Sequence, residues 1–414
     1  MGSPNGSSNG SSNGSSKGSS KGSSNGLAGE SARAAATPTG AAAQRLARAC
    51  GQLLSVGFDG TDAPEQLLRW IADGEVGSVM LFRPNIASPE QVAALVGTLR
   101  RAAPQDAPIV IAIDQEGGLV QRLRAPLTVW PDMLSVGSAG DATRTEQVGR
   151  ALGGELAALG IGWNFAPVLD VHTNPANPVI GNRAFGVTPE AVTAQALAFW
   201  RGLRAAGLAG CGKHFPGHGD THADSHLTLP LVDHDLDRLR RVELAPFAAA
   251  ARAGIDAIMT AHVMYPALDR NWPATLSRPI LTDLLRVELG FTGVIVSDDL
   301  GMKAVADRHP IEELAVMSIA AGADHLIIRE PPQRQRAAFE ALLRAAQASA
   351  EIRARVEESA ARVAALKAGV RVGQPAPAGV LPSLLGTAAN QALAAAFARS
   401  SSLAASSPVA DPDP

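Results

Sequence analysis

With only Cys50 and Cys211 in 414 residues, the chain cannot be held together by a disulfide scaffold. Cys211 sits in an apolar run, where a reduced, buried thiol fits, and this usage favours a reducing compartment. Long hydrophobic runs are also missing. Spanning a bilayer as a helix takes roughly twenty apolar residues, and a charge or glycine interrupts every run well before that. The expectation is a soluble protein with no membrane span. Neither sign of charge is in surplus: the formal net charge is −3, with no basic excess to meet nucleic acid and no acidic excess of a solvating tail. What the chain does have is apolar content, 46% of its residues, enough for one large core or two medium ones.

That content is unevenly spread. Residues 1–26 are a Gly/Ser/Asn repeat with two lysines and no apolar segment, so they can neither bury surface nor serve as a secretory signal. Small residues continue to about 43, and residues 1–43 read as a flexible leader. From 44 to 368, short apolar runs alternate with longer amphipathic ones. Candidate strands are 53–58, 77–82, 109–114, 162–170, 208–215, 257–263, 294–298 and 325–328, separated by helical stretches, several of which open on a proline. Eight strand–helix units predict an α/β fold, a single (β/α)8 barrel. Its strands are continuous apolar runs, as parallel strands buried on both faces should be. A long closing helix, 334–367, carries a possible break near 348–350. Residues 369–414 form an Ala/Pro/Ser-rich tail, expected to be partly disordered and mobile at least after 398.

In such a barrel, polar residues at the C-terminal strand ends have a functional prior that mid-strand ones lack. The strand ends here carry Asp114-Gln115-Glu116, Asp170, Lys213-His214, His262 and Ser297-Asp298-Asp299. The stretch after Lys213, KHFPGHGDTHADSHLTLP, holds His214, His218, His222 and His226 at a spacing of four. On a helix that spacing would stack them on one face as metal ligands, but Pro216, Gly217 and Gly219 argue for a loop. Asp224-Ser225-His226 instead reads as a carboxylate orienting an imidazole that can exchange protons near neutral pH. Asp298 and Asp299 alternate sides of a strand, so one should face the site and the other the structure; their order alone does not choose between them.

KHFPGHGDTHADSHLTLP resembles the signature of family 3 glycoside hydrolases, in particular their β-N-acetylhexosaminidase branch, and the likeness extends over about 53–328. It implies a retaining exo-β-N-acetylglucosaminidase that needs no metal or cofactor and acts as a monomer on small glycans, such as muropeptide fragments in the bacterial cytoplasm. By the same likeness Asp298, in Ser297-Asp298-Asp299-Leu300-Gly301-Met302, is the nucleophile, and His226 backed by Asp224 is the acid/base, with Gly217 and Gly219 as possible pivots of the loop. Asp114, Arg122, Arg183, Lys213 and His214 surround the sugar. A retaining enzyme needs its two groups about 5–5.5 Å apart. His262 and Met264 read equally well as core residues, and Glu116, beside Gly117-Gly118, as a turn-stabilising carboxylate. The β-glucosidases of that family generally have a second, sandwich domain that supplies the acid/base, and the length after 330 is expected to be too short for one. Three rivals remain: a phosphorylase of the same family, a metal-dependent hydrolase built on His214, His218 and His222 with an aspartate, and a sugar-binding protein without turnover.

Overall fold

The computed structural model describes residues 2, 40–225, 227–329 and 331–398. His226, most of the low-complexity leader and the end of the tail lie outside the described residues. Eight parallel strands, β1 (Leu54–Val56), β2 (Ser78–Leu81), β3 (Val110–Ile113), β4 (Trp163–Asn164), β5 (Ala209–Phe215), β6 (Ala257–Thr260), β7 (Val294–Val296) and β8 (Leu326–Ile328), follow one another around a sheet in which β8 also pairs with β1. A parallel bridge between Val296 and His325 joins β7 to β8 and closes the ring, so the fold is a (β/α)8 barrel. All eight expected strands are present. The fourth is short, but its contact with β5 continues past Asn164 through Cys211 N to Ala166 O (2.8 Å) and Lys213 N to Pro167 O (3.1 Å), up to the bridge between Val168 and Lys213.

The strands are apolar on both faces for two different reasons. One set of alternate residues, Met80 and Phe82, Val110 and Ala112, Trp163 and Phe165, Ala209 and Cys211, Ala257 and Met259, Val294 and Val296, fills the barrel interior as one buried cluster. The other set, including Val79, Leu81, Ile111, Ile113, Ile258 and Ile295, belongs to the larger cluster under the surrounding helices. Val363 and Leu366, from the helix Ala350–Gly369, plug the interior from the end opposite the strand termini.

The helices begin where side chains can cap them. Ser88 and Thr188 each accept from a backbone N–H three residues on, and each is followed by a proline at the first helical position. The closing segment is two helices, Pro332–Ala348 and Ala350–Gly369, and the break falls at Ser349, which caps the second by accepting from Ile352 N.

Beyond 369 the chain runs back along the barrel. Arg371 N donates to Gly207 O and Ala376 N to Ala158 O, before short helices at Leu381–Leu384 and Ala388–Ala398. The buried Glu155 is the latch: its carboxylate accepts from Thr128 N (3.0 Å) and Thr128 Oγ1 (2.6 Å) on one side, and from Gly386 N (2.9 Å) and Asn390 Nδ2 (3.0 Å) on the other. Glu155→Ala strands four donors at once and should destabilise the protein by about 3 kcal/mol or more. Urea unfolding measures the loss, and limited proteolysis should cut first between 377 and 390; an unchanged midpoint together with an uncut tail would contradict the latch.

Candidate active site

Alternation along the strands continues past their ends and selects the side chains that meet at the mouth of the barrel. The inward series Val110, Ala112 leads to Asp114; Ala209, Cys211 leads to Lys213; Val294, Val296 leads to Asp298; and Ile327 leads to Arg329. All four line one cavity of about 310 Å3. This parity is a signal the sequence reading passed over. It separates Asp298 from Asp299 and brings in Arg329, which had not been anticipated.

Asp299 also touches the cavity, but its Oδ1 is committed to backbone, accepting from Gly301 N (2.9 Å) and Arg329 N (3.2 Å). Burial, with Asp298 beside it, pushes its carboxyl up to about 6. His262, fully buried, donates from Nε2 to Asp299 O (3.0 Å) and pins this turn from below, so it acts as a core histidine.

His214 has the opposite parity to Lys213 yet lines the same cavity, because the pairing of β5 with β6 shifts register between Gly212 and Phe215. Its Nδ1–H donates to Asp170 Oδ2 (2.7 Å) and its backbone N–H to Asp170 Oδ1 (3.1 Å), which leaves Nε2 as the ring nitrogen that can meet a ligand. Burial alone would raise the Asp170 carboxyl, but His214, together with the His218 N–H, holds it below the usual range.

Glu116 is not a turn-stabilising carboxylate. It is 1% exposed and forms the floor of the cavity. A hairpin of Gln115–Gly117 against Val120–Gln121 folds over the end of β3, with its turn made by Gly117 (φ 112°) and Gly118 (φ 59°), conformations that favour glycine. It is held in place by Asn164, which accepts from Gln115 N and donates to Gln115 O. Glu116 then receives Arg183 in a two-pronged pair, Nε to Oε2 at 2.9 Å and Nη2 to Oε1 at 2.8 Å, and Lys213 Nζ at 2.6 Å. Lys213 Nζ also reaches Asp114 Oδ1 at 2.6 Å. Burial opposes every charge here, yet Arg183 and Lys213 hold Glu116 well below the carboxylate range, while Asp114 and Glu116 keep Lys213 protonated. Arg183 is thus a buried partner of Glu116 and lines the cavity, as does Arg122, 7% exposed.

The histidine-rich loop does not assemble a metal site from its described members. His214 is held by Asp170; His218 is bonded through Nδ1 to Thr221 Oγ1 (2.7 Å) and through Nε2 to Ser225 Oγ (3.1 Å); and Nδ1 of the exposed His222 lies 3.2 Å from Asn174 Nδ2. Burial, reinforced by the nearby His214, pushes His218 down to about 4, so it is neutral. Among the described residues no group of three His, Cys, Asp or Glu side chains is placed to hold a metal ion. These bonds lace the loop to the segment after β4. Asn177 donates to His218 O (2.9 Å) and Thr221 Oγ1 (3.1 Å), Asn174 donates to Thr221 O, and Thr173 Oγ1 donates to Asp220, which also pairs with His234. Gly219 lies so close to Val171 that a Cβ on it would come within 1.8 Å of the Val171 carbonyl oxygen, and Tyr265 donates to Gly217 O at 2.7 Å. Both glycines are therefore packing positions. The loop delivers the buried Ser225 to the cavity that Asp298 lines. Asp224, next to it, accepts from Leu227 N and Thr228 N through its backbone oxygen.

Asn177 makes two further bonds, its Oδ1 accepting from Val179 N and Ile180 N, so Asn177→Ala breaks four and should weaken the loop locally by about 2–3 kcal/mol. Amide exchange should quicken at 217–225 before it does in the strands; uniform exchange across the barrel would contradict this local role.

Residues 46–366 match the model described as the glycosyl hydrolase family 3 N terminal domain. Over 284 residues the chain is 42% identical to the beta-hexosaminidase A of Pseudoalteromonas piscicida, covering 64% of this chain and 47% of that protein, so it spans about half the length of that relative. It is 43% identical over 273 residues to the beta-hexosaminidase of Chromobacterium violaceum, covering 64% of this chain and 75% of the relative. It is similar in structure to a glycoside hydrolase family 3 beta-N-acetylglucosaminidase from a Paenibacillus species, with 40% identity and a TM-score of 0.78 over 86% of this chain and 68% of that one. The barrel, its mouth and these likenesses lead to one assignment: the chain belongs to glycosyl hydrolase family 3 and is a glycoside hydrolase.

Proposed function

We infer that the protein is a retaining exo-β-N-acetylglucosaminidase, with Asp298 as nucleophile and His226, oriented by Asp224, as acid/base. One observation carries this reading: Asp298, at the end of β7, and Ser225, the residue between Asp224 and His226, line the same cavity although they are far apart in the chain. A cavity of about 310 Å3 lies at the lower end of the roughly 300–1,000 Å3 typical of ligand pockets, which suits one terminal sugar ring. Its polar lining supplies what a ring of hydroxyls needs: Asp114 to accept, and Lys213, His214 Nε2 and Arg122 to meet the ring oxygens. The similar proteins named as hexosaminidases and as an N-acetylglucosaminidase support an N-acetylated sugar at that place.

On this reading Asp298 attacks the anomeric carbon as the imidazolium of His226 gives its proton to the departing oxygen. The same imidazole, now neutral, takes a proton from the water that releases the sugar. Muropeptide fragments are the proposed source of the sugar and the cytoplasm the proposed location. Both cysteines are free and buried, which suits a reducing compartment, and no helix among the described residues is long and apolar enough to cross a membrane.

Reaction with a 5-fluoro N-acetylglucosaminyl fluoride should leave a covalent adduct on the peptide that carries Asp298, and Asp298→Asn should lower kcat by on the order of 10⁴-fold. A label on any other residue removes Asp298 from the role of nucleophile. His226→Ala should slow substrates with poor leaving groups far more than activated ones. Run in phosphate buffer, the reaction should yield free N-acetylglucosamine; a sugar 1-phosphate would make the enzyme a phosphorylase.

A further inference from the structure

We propose that Glu116 is a positioning residue for this reaction: it fixes Lys213 and Arg183 against the sugar-binding Asp114, and its charge makes the cavity floor electrically neutral beneath the nucleophile. The inference rests on the assignment of Asp298 above.

The geometry is that of a chain of alternating charges. Asp114 pairs with Lys213, Lys213 with Glu116, and Glu116 with Arg183, all at 2.6–2.9 Å. Two negative and two positive charges sum to zero. Side-chain exposure falls from 14% at Asp114 to 3% at Lys213, 5% at Arg183 and 1% at Glu116, so water is present only at the end where a substrate would enter. Lys213 has no other ion-pair partner among the described residues, and the only other bond of the Arg183 side chain is to Val179 O at 3.0 Å. Without Glu116, Lys213 would be held from one side only, by Asp114, and Arg183 would lose its ion-pair partner in a site where water screens little. The charged and titratable groups that bear on this chain from the elements packed around it are Asp170 with His214, Arg122 beside the hairpin, and, across the cavity, Asp298, Asp299, Lys303 and Arg329; none of these is altered in the variants below.

The consequence reaches the chemistry through charge. The transition state of glycoside transfer is oxocarbenium-like and carries positive charge. A floor with one uncompensated positive charge opposes it, and the same excess stabilises the Asp298 carboxylate and so lowers the pH at which it ionises. Glu116→Gln, which keeps the shape and removes the charge, should cut kcat/KM by on the order of 100-fold, with kcat falling as well as KM rising. The acid limb of kcat/KM should move to lower pH. Glu116→Asp keeps the charge but is shorter by one methylene, so it should raise KM while leaving the limb where it is in the unaltered protein. Arg183→Gln reverses the sign: the floor gains a net negative charge, and the limb should move to higher pH.

The experiment is the pH profile of kcat/KM on 4-nitrophenyl N-acetyl-β-glucosaminide for the unaltered protein and the three variants, each shown to be folded by circular dichroism and its unfolding midpoint. The proposal is overturned if Glu116→Gln keeps the unaltered kcat, or if its loss of rate equals that of Glu116→Asp with no shift of the limb, which is how a purely structural contact would behave. If Glu116→Gln does not fold, Arg183→Gln decides, and an unmoved or lowered limb overturns the proposal. Failure here with an active parent enzyme still labelled on Asp298 sinks only the role of Glu116; a parent that neither releases the sugar nor is labelled on Asp298 sinks the reading beneath it.

Discussion

Closing eight parallel strands into a ring leaves one set of alternate side chains with nothing to face but each other, and everything at the site follows from how that set ends. Inside the ring the side chains meet one another and the plug of Val363 and Leu366, so Met80, Val110, Trp163, Ala209, Met259 and Val294 must be apolar and must fit. At the C-terminal end of the strands the constraint relaxes, and the next positions of the same parity are Asp114, Lys213, Asp298 and Arg329. One position further along a regular strand the parity is opposite; His214 reaches the mouth because the pairing of β5 with β6 shifts register, and Asp299, at the cavity edge, gives its Oδ1 to backbone. The convergence of Asp114, Lys213, Asp298 and Arg329, the outermost of them 215 positions apart, thus needs no special loop conformation. It comes from the period-two geometry of strands whose register the barrel has already fixed.

Placing charges at the edge of an apolar interior has a cost that the structure meets by pairing. Lys213 and Glu116 are both almost fully buried, and either one alone would carry a penalty of several kcal/mol by the usual desolvation argument. Pairing Glu116 with two cations, and sharing one of these with Asp114, lets all four groups stay charged in the lining of the cavity. Asp170 does the same for His214 on the neighbouring strand, fixing the ring by Nδ1 and taking two backbone N–H groups besides. The result is a rigid set of donors and acceptors whose orientation is decided before any ligand arrives.

How much of this the sequence disclosed depends on whether the information was local. Eight apolar runs with helical patterns between them predict the barrel because alternation and strand length are written in consecutive residues. The rim residues Asp114, Lys213, His214 and Asp298 were legible for the same reason, being strand ends. Arg183 was placed near the sugar only by likeness and Glu116 was read as part of a turn, because their pairing across 67 positions has no local signature. The tail shows the same limit. Nothing local in residues 369–398 names what they pack on, yet Phe397 is 1% exposed and Glu155, in the helix Ala142–Ala158, provides the bond that holds Gly386. Composition does not reveal a partner elsewhere in the chain.

The histidines show why spacing is weaker evidence than partnership. A repeat of four residues invites a metal, but each described ring has a different neighbour: Asp170 for His214, Thr221 and Ser225 for His218, Asn174 for His222. These bonds divide the loop's work. His214 belongs to the fixed floor, through a strand and a buried carboxylate. His218 and His222 belong to a lattice of neutral hydrogen bonds with Thr221, Asn174 and Asn177, each worth only about 0.5–1.5 kcal/mol net. A segment held by many weak bonds next to a floor held by a few strong ones can yield first without disturbing the groups beneath it.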